Sequence, residues 1–273
     1  MENKAKKYLL YAFNLILGII IISPILYGLS VSLMSSDEIF SYPPRFIPAH
    51  INFDNYKQVI ETVPIFRFIF NSLFVSLAVT IGQIITSCLA AYAFSYFEFR
   101  GKNMLFILCL STLMIPSEST IIANYLTIAK LGWSDTYAGL IVPFLVSAMG
   151  IFLIRQFYLT VPKELKEAST LDGCSNWRYF IKVLLPISKP VISSLGIYTF
   201  LNTWNQYMWP LLVTNAPEKR TVQIGISMLQ FAETQNIGLV FAGVIMIILP
   251  SIVIFIIGQK QLVQGITSGA VKG

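Results

Sequence analysis

Six apolar windows, each about as long as a helix that crosses a bilayer, leave this chain little choice of architecture. A hydrocarbon layer of about 30 Å calls for roughly 20 apolar residues per helical span. The windows fall at 10–33, 68–94, 104–123, 137–157, 191–213 and 238–257. With 55% hydrophobic and 12% charged residues among 273, the chain reads as an all-α, polytopic membrane protein of six spans. One membrane domain is expected over 1–273, with no appended soluble domain. The third window is the weakest, because Pro116, Ser117 and Glu118 interrupt it.

The charge pattern orients the spans. With the N-terminus inside, thirteen of the 19 Lys and Arg residues fall in inner segments. That leaves Arg45, Lys57, Arg67, Lys130, Lys219 and Arg220 outside. The bias matches the positive-inside rule and predicts both termini cytoplasmic. A net charge of +6 therefore reports membrane orientation, and nucleic acid is not an expected partner. The first window follows a Lys-rich head, but its length and the lack of a small-residue cleavage site favour a retained anchor over a signal peptide.

Several classes of activity lack their residues. No G-x-x-x-x-G-K-[ST], G-x-G-x-x-G or H-E-x-x-H motif is present, so the chain carries no familiar machinery for ATP hydrolysis. The single His50 and three scattered cysteines, Cys88, Cys109 and Cys174, suggest neither a zinc site nor a disulfide framework. No catalytic, metal or cofactor residue is expected. Ion-coupled carriers place ionisable groups inside the membrane. The span centres hold none, with Glu118 and Arg155 read as interfacial. A secondary carrier or channel remains the alternative class.

The polar stretch at 161–190 stands out between two apolar windows. Thr160 is placed to cap a helix, Pro162 is tolerated in its first turn, and Gly173 is a natural stop. Ser175 can cap a second short helix carrying Trp177, Phe180 and Leu184 at helical spacing until Pro186 ends it. Helices this short are marginal in water, so the pair is expected to pack against a partner.

Glu167, Ala168 and Ser169, then Gly173, then Val183-Leu184-Leu185-Pro186 resemble the Glu-Ala-Ala, Gly, Ile-x-Leu-Pro loop of bacterial ABC importer permeases. Ser169 and Val183 are small departures, standing where the family usually has Ala and Ile. Tyr137-Ala138-Gly139-Leu140, Arg155-Gln156-Phe157, the run 204–210 and the tail 265–273 are similar to the second permease of carbohydrate-uptake systems of the maltose-transporter type. The run 204–211 also resembles glycerol-3-phosphate permeases.

The resemblance implies a multi-pass subunit of the bacterial inner membrane, assembled with a second permease, two ATPase subunits and an extracytoplasmic solute-binding protein. ATP and Mg would sit on the ATPase. Loop 158–189 would be the coupling loop, with Glu164, Leu165, Glu167, Ala168, Ser169, Asp172 and Gly173 at the ATPase and Trp177, Phe180 and Pro186 supporting it. Gly269 and Lys272 in the tail would touch the ATPase as well. Asn202, Trp204, Asn205, Gln206 and Tyr207 combine ring faces and amides suited to sugars, and are expected along the solute path. The outer loop at 214–237 is expected to meet the binding protein.

Overall fold

A computed structural model describes residues 2–232 and 236–270, and every regular element in them is helical. The first part of the chain forms α1 (Glu2–Ser32), the single turn α2 (Ser36–Ile39), α3 (Asp54–Thr62) and α4 (Ile65–Tyr96). A broken pair follows, α5 (Lys102–Ser111) and α6 (Ser117–Lys130), then α7 (Tyr137–Ile141) and α8 (Ala148–Tyr158). The loop helices are α9 (Lys163–Leu171), α10 (Asn176–Tyr179) and α11 (Leu185–Ile187). The chain closes with α12 (Lys189–Trp204), α13 (Met208–Val213), α14 (Val222–Ala232) and α15 (Ile237–Ala270).

Three segments are single helices long and apolar enough to cross a membrane: 6–32 within α1, all of α4, and 237–256 within α15. Three bent pairs bring the total to six if each is one span. Their breaks depart from the straight spans expected of the sequence. The third window folds back by 101° between Lys102–Met114 and Ser117–Lys130, because Pro116 is extended at ψ 132° and supplies no amide to carry the helix across. The fourth bends by 42° at the turn holding Pro143. The third pair joins Asn176–Ile187 to Lys189–Trp204 with a bend of 74°, and the fifth window does not run on to Val213 as one helix: α12 stops at Trp204 and a new helix starts at Met208.

The chain divides into two compact units. One comprises residues up to 66 together with 225–250. Inside it Asn55 donates to the carbonyls of Ser32 and Met34 at 3.0 and 2.9 Å. Gly238 lies so close that a Cβ there would sit 2.6 Å from the Asn55 amide nitrogen. Close approach of this kind is what small residues permit between membrane helices. The apolar window of α1 is wholly unburied within the chain, so its solvent is lipid or another subunit.

The second unit comprises 67–224 and the chain after 250. Its axis is α4, which turns one polar stripe inward: Asn71, Ser72, Ser76, Thr80 and Ser87 are all buried. Gln83 of the same helix donates to Phe144 O at 2.8 Å and accepts from the Thr199 hydroxyl at 2.9 Å, joining α4 to the turn before α8 and to α12. At Gly150 a Cβ would meet Ser87 Oγ at 2.4 Å, so α8 starts against the body of α4.

Candidate functional site

The segment 158–189 is held from behind by aromatic residues. Tyr158, Tyr179, Phe180 and Leu184 are buried in one cluster with Cys88, Ala91 and Tyr92 of α4 and with Val191 and Leu195 of α12. Tyr92 donates its hydroxyl to Asn176 O at 2.9 Å, and its ring lies 4.8 Å from that of Phe180. The hydroxyls of Tyr96 and Tyr179 meet at 3.3 Å. Lys166 bridges the two loop helices, donating to Asn176 Oδ1 at 2.6 Å with its ammonium 4.7 Å from the Tyr179 ring centre. A short helix pair that would be marginal alone is thereby fixed to a transmembrane helix.

Local chemistry sets the helix ends. Gly173 has φ +73°, the left-handed conformation that ends helices at low cost only for glycine. Ser175 Oγ accepts from the Arg178 amide at 3.3 Å, capping α10. Two expectations change here. Thr160 turns back to donate to Phe157 O at 2.7 Å, and Pro162 takes the cap position of α9. Pro186 does not end the second helix: residues 180–184 widen into a π-helical turn and the chain stays helical to Ile187. The wider turn removes the clash of the proline ring with the carbonyl four residues earlier.

The outward face is mixed in character. Glu164, Leu165, Glu167, Ala168, Asp172 and Gly173 are exposed, as is Leu171 at 90%. Ser169 is not part of that face: it is buried and donates to Lys166 O at 2.7 Å. Trp177 does not anchor the loop, being 59% exposed and stacked on the outer side of Phe180 at 5.5 Å. Phe180 is the anchor, while Pro186 is exposed. Gly269 lies in the final turns of α15, and Lys272 lies outside the described residues.

A second site forms at the break of the third span. Ser117, Glu118, Asn124, Phe144, Gln206, Tyr207 and Trp209 are among the residues lining a cavity of about 670 Å³. Trp209 is buried, with its indole N–H donated to Gly139 O at 3.1 Å and its ring edge-on to Phe144 at 5.7 Å. Of the expected solute-path residues, only Gln206 and Tyr207 line this space. Trp204 is 2% exposed and stacks on Phe200 at 5.7 Å, as a core residue. Asn202 and Asn205 donate to Tyr198 O and Leu201 O of their own helix at 3.0 and 2.9 Å. Glu118, expected near a span end, is exposed and lines the cavity. Its signal in the sequence was a carboxylate two residues after a proline inside an apolar window. Arg155 caps the ring of Phe106 at 4.1 Å.

The loop between α13 and α14 is tied down at several points. Asp135 accepts from the amides of Asn215 and Ala216 at 2.5 and 2.8 Å. Those bonds, that from Ala216 foremost, hold its carboxyl below the usual carboxylate range. Asn71 donates to Glu218 O and Arg220 O at 2.9 and 2.8 Å and accepts from the Tyr137 hydroxyl at 2.7 Å. Ser72 Oγ accepts from the Val222 amide at 3.0 Å.

An all-helical membrane domain with broken spans, a cavity at a break and a rigidly mounted polar loop defines a transport permease. The chain belongs to the family described as binding-protein-dependent transport system inner membrane component, whose model matches residues 53–266. It is 36% identical over 276 residues to the sn-glycerol-3-phosphate transport system permease protein UgpE of Brucella melitensis, covering 97% of this chain and 98% of that one. It is 33% identical over 264 residues to the arabinooligosaccharides transport system permease protein AraQ of Bacillus subtilis, covering 96% and 94%. A solved bacterial ABC transporter involved in the import of the acidic polysaccharide alginate contains a chain of the same fold, with TM-score 0.83, 22% identity and coverage of 95% and 97%.

Proposed function

We propose that this subunit carries a sugar or oligosaccharide inward, driven by ATP that a partner subunit hydrolyses. The observation that carries the energy-coupling half is the mounting of loop 158–189. Its inner face is fixed to α4 by Tyr92 and Phe180, while Glu164, Glu167 and Leu171 point outward. A surface that is rigid behind and exposed in front transmits displacement. ATP closing a pair of ATPase subunits would push α9, and α9 would move α4 and α12 through the shared cluster. The work enters through contacts that differ between the two end states.

In this reading both termini and loop 158–189 lie on the cytoplasmic side of the bacterial inner membrane. A second permease completes the pathway, and an extracytoplasmic binding protein delivers solute near the stapled loop that follows α13. The cavity lining favours a sugar: ring faces at Tyr207 and Trp209 with amides at Asn124 and Gln206 suit a polyhydroxylated solute. Glycerol-3-phosphate is the second reading, favoured by the 36% identity to UgpE. No Lys or Arg among the described residues lines the cavity to balance a phosphate. The test is the purified importer with its binding protein, in which neutral oligosaccharides and glycerol phosphates are compared for stimulation of ATP hydrolysis. Stimulation by the phosphates alone would reverse the order of the two readings.

A further inference from the structure

We propose that Glu118 is the residue of this chain that holds solute hydroxyls in the cavity, making it a specificity determinant for an uncharged polyhydroxylated solute. The proposal rests on the sugar-import reading and names the group that would enforce it. A carboxylate inside an apolar window is costly and is kept where it faces an aqueous pathway or a ligand. The 101° break puts Glu118 in the first turn of α6, on the cavity wall. Discontinuous helices are where membrane transporters build solute sites.

The chemistry around it is selective. Among the described residues the Glu118 carboxylate takes one hydrogen bond, from Ser117 Oγ to Oε1 at 3.1 Å, and forms no ion pair. An ionised carboxylate can accept about four hydrogen bonds, so it has capacity for a pair of neighbouring hydroxyls. Asn124 and Gln206 both donate and accept, whereas Trp209 has spent its N–H on Gly139 and offers only its ring. Hydroxyl pairs satisfy this set; a phosphate would meet a negative charge with no Lys or Arg among the described lining residues.

The experiment uses proteoliposomes holding the whole importer, loaded binding protein outside and ATP inside. Arabinotriose, maltotriose and glycerol 3-phosphate serve as probes, and both solute moved and ATP hydrolysed are measured. Glu118→Gln keeps the shape and removes the charge. The expected result is roughly tenfold less sugar moved per ATP, the scale of a lost hydrogen bond to a charged group. Glu118→Asp should recover part of the loss. Sugar moved per ATP at the wild-type level in Glu118→Gln overturns the proposal, as does a parallel fall in hydrolysis and transport, which marks a structural role. If the wild-type importer moves glycerol 3-phosphate and neither sugar, the sugar reading itself fails, and that outcome is visible before any variant is made.

Discussion

Tyr92, in the last turns of α4, donates its hydroxyl to the carbonyl of Asn176, the first residue of α10. One hydrogen bond and one ring contact with Phe180 thus join a transmembrane helix to the segment proposed to receive the ATPase. Tyr92→Phe keeps the ring and removes the bond, at a cost of about 1 kcal/mol to loop docking. The importer should assemble normally yet move less solute per ATP. An unchanged ratio of transport to hydrolysis would count against the loop as a rigid lever.

Glu167 is exposed on α9, so reversing its charge leaves the fold undisturbed. Glu167→Lys should insert in the membrane at normal levels but lose the co-purifying ATPase subunit, since a charge-assisted contact becomes a repulsion. Retention of the ATPase through affinity purification would remove Glu167 from the interface.

Gly173 has open space where a Cβ would stand, so a substitution there costs only backbone strain. Gly173→Ala should destabilise the loop by about 1 kcal/mol, and Gly173→Asn by less, because asparagine tolerates the left-handed region. Thermal denaturation of the assembled complex measures the order of the two. A larger loss in the asparagine variant would show that something other than φ sets the requirement.

Asp135 has a carboxyl held below its ordinary range by the amides of Ala216 and Asn215. A depressed folded-state value means that its contribution is complete above the unfolded carboxylate range. It is lost as pH falls through the lower folded value. At neutral pH the staple is therefore fully made, and only strong acid should release it. Asp135→Ala should speed hydrogen exchange at Asn215 and Ala216 at neutral pH; equal exchange in variant and wild type would show that the loop is held elsewhere.

Asn71 satisfies two carbonyls and a hydroxyl while buried at 1% exposure. Asn71→Ala should cost about 1–3 kcal/mol by leaving those groups without a partner. The melting temperature of the purified complex reports it, and a neutral result would mean that water enters to replace the amide.

The sequence made the spans legible through hydropathy and the loop through its caps, since Gly173 and Ser175 act by local rules. It did not reveal where the helices break, because Pro116 inside an apolar window is compatible with either a kink or a full reversal. Burial on the loop was also hidden. Trp177 and Phe180 are both large aromatics at helical spacing, and only the packing of Tyr92 decides which of them faces inward. The same limit separated Trp204 from Trp209: both belong to one aromatic run, and the stop of α12 at Trp204 sends them to different surroundings.

Leu171, 90% exposed, has a cost of its own, as have the exposed side chains of Trp177 and Ile181. If the loop faces the ATPase as proposed, a subunit with such side chains exposed is incomplete in the way a half-built interface is. Copies synthesised in excess of their partners would display a sticky, cleavable handle to proteases and to one another. On the proposed coupling reading, a cell would gain from making this chain in step with the subunit that covers that leucine, and the stoichiometry of synthesis would be a constraint built into a single exposed side chain.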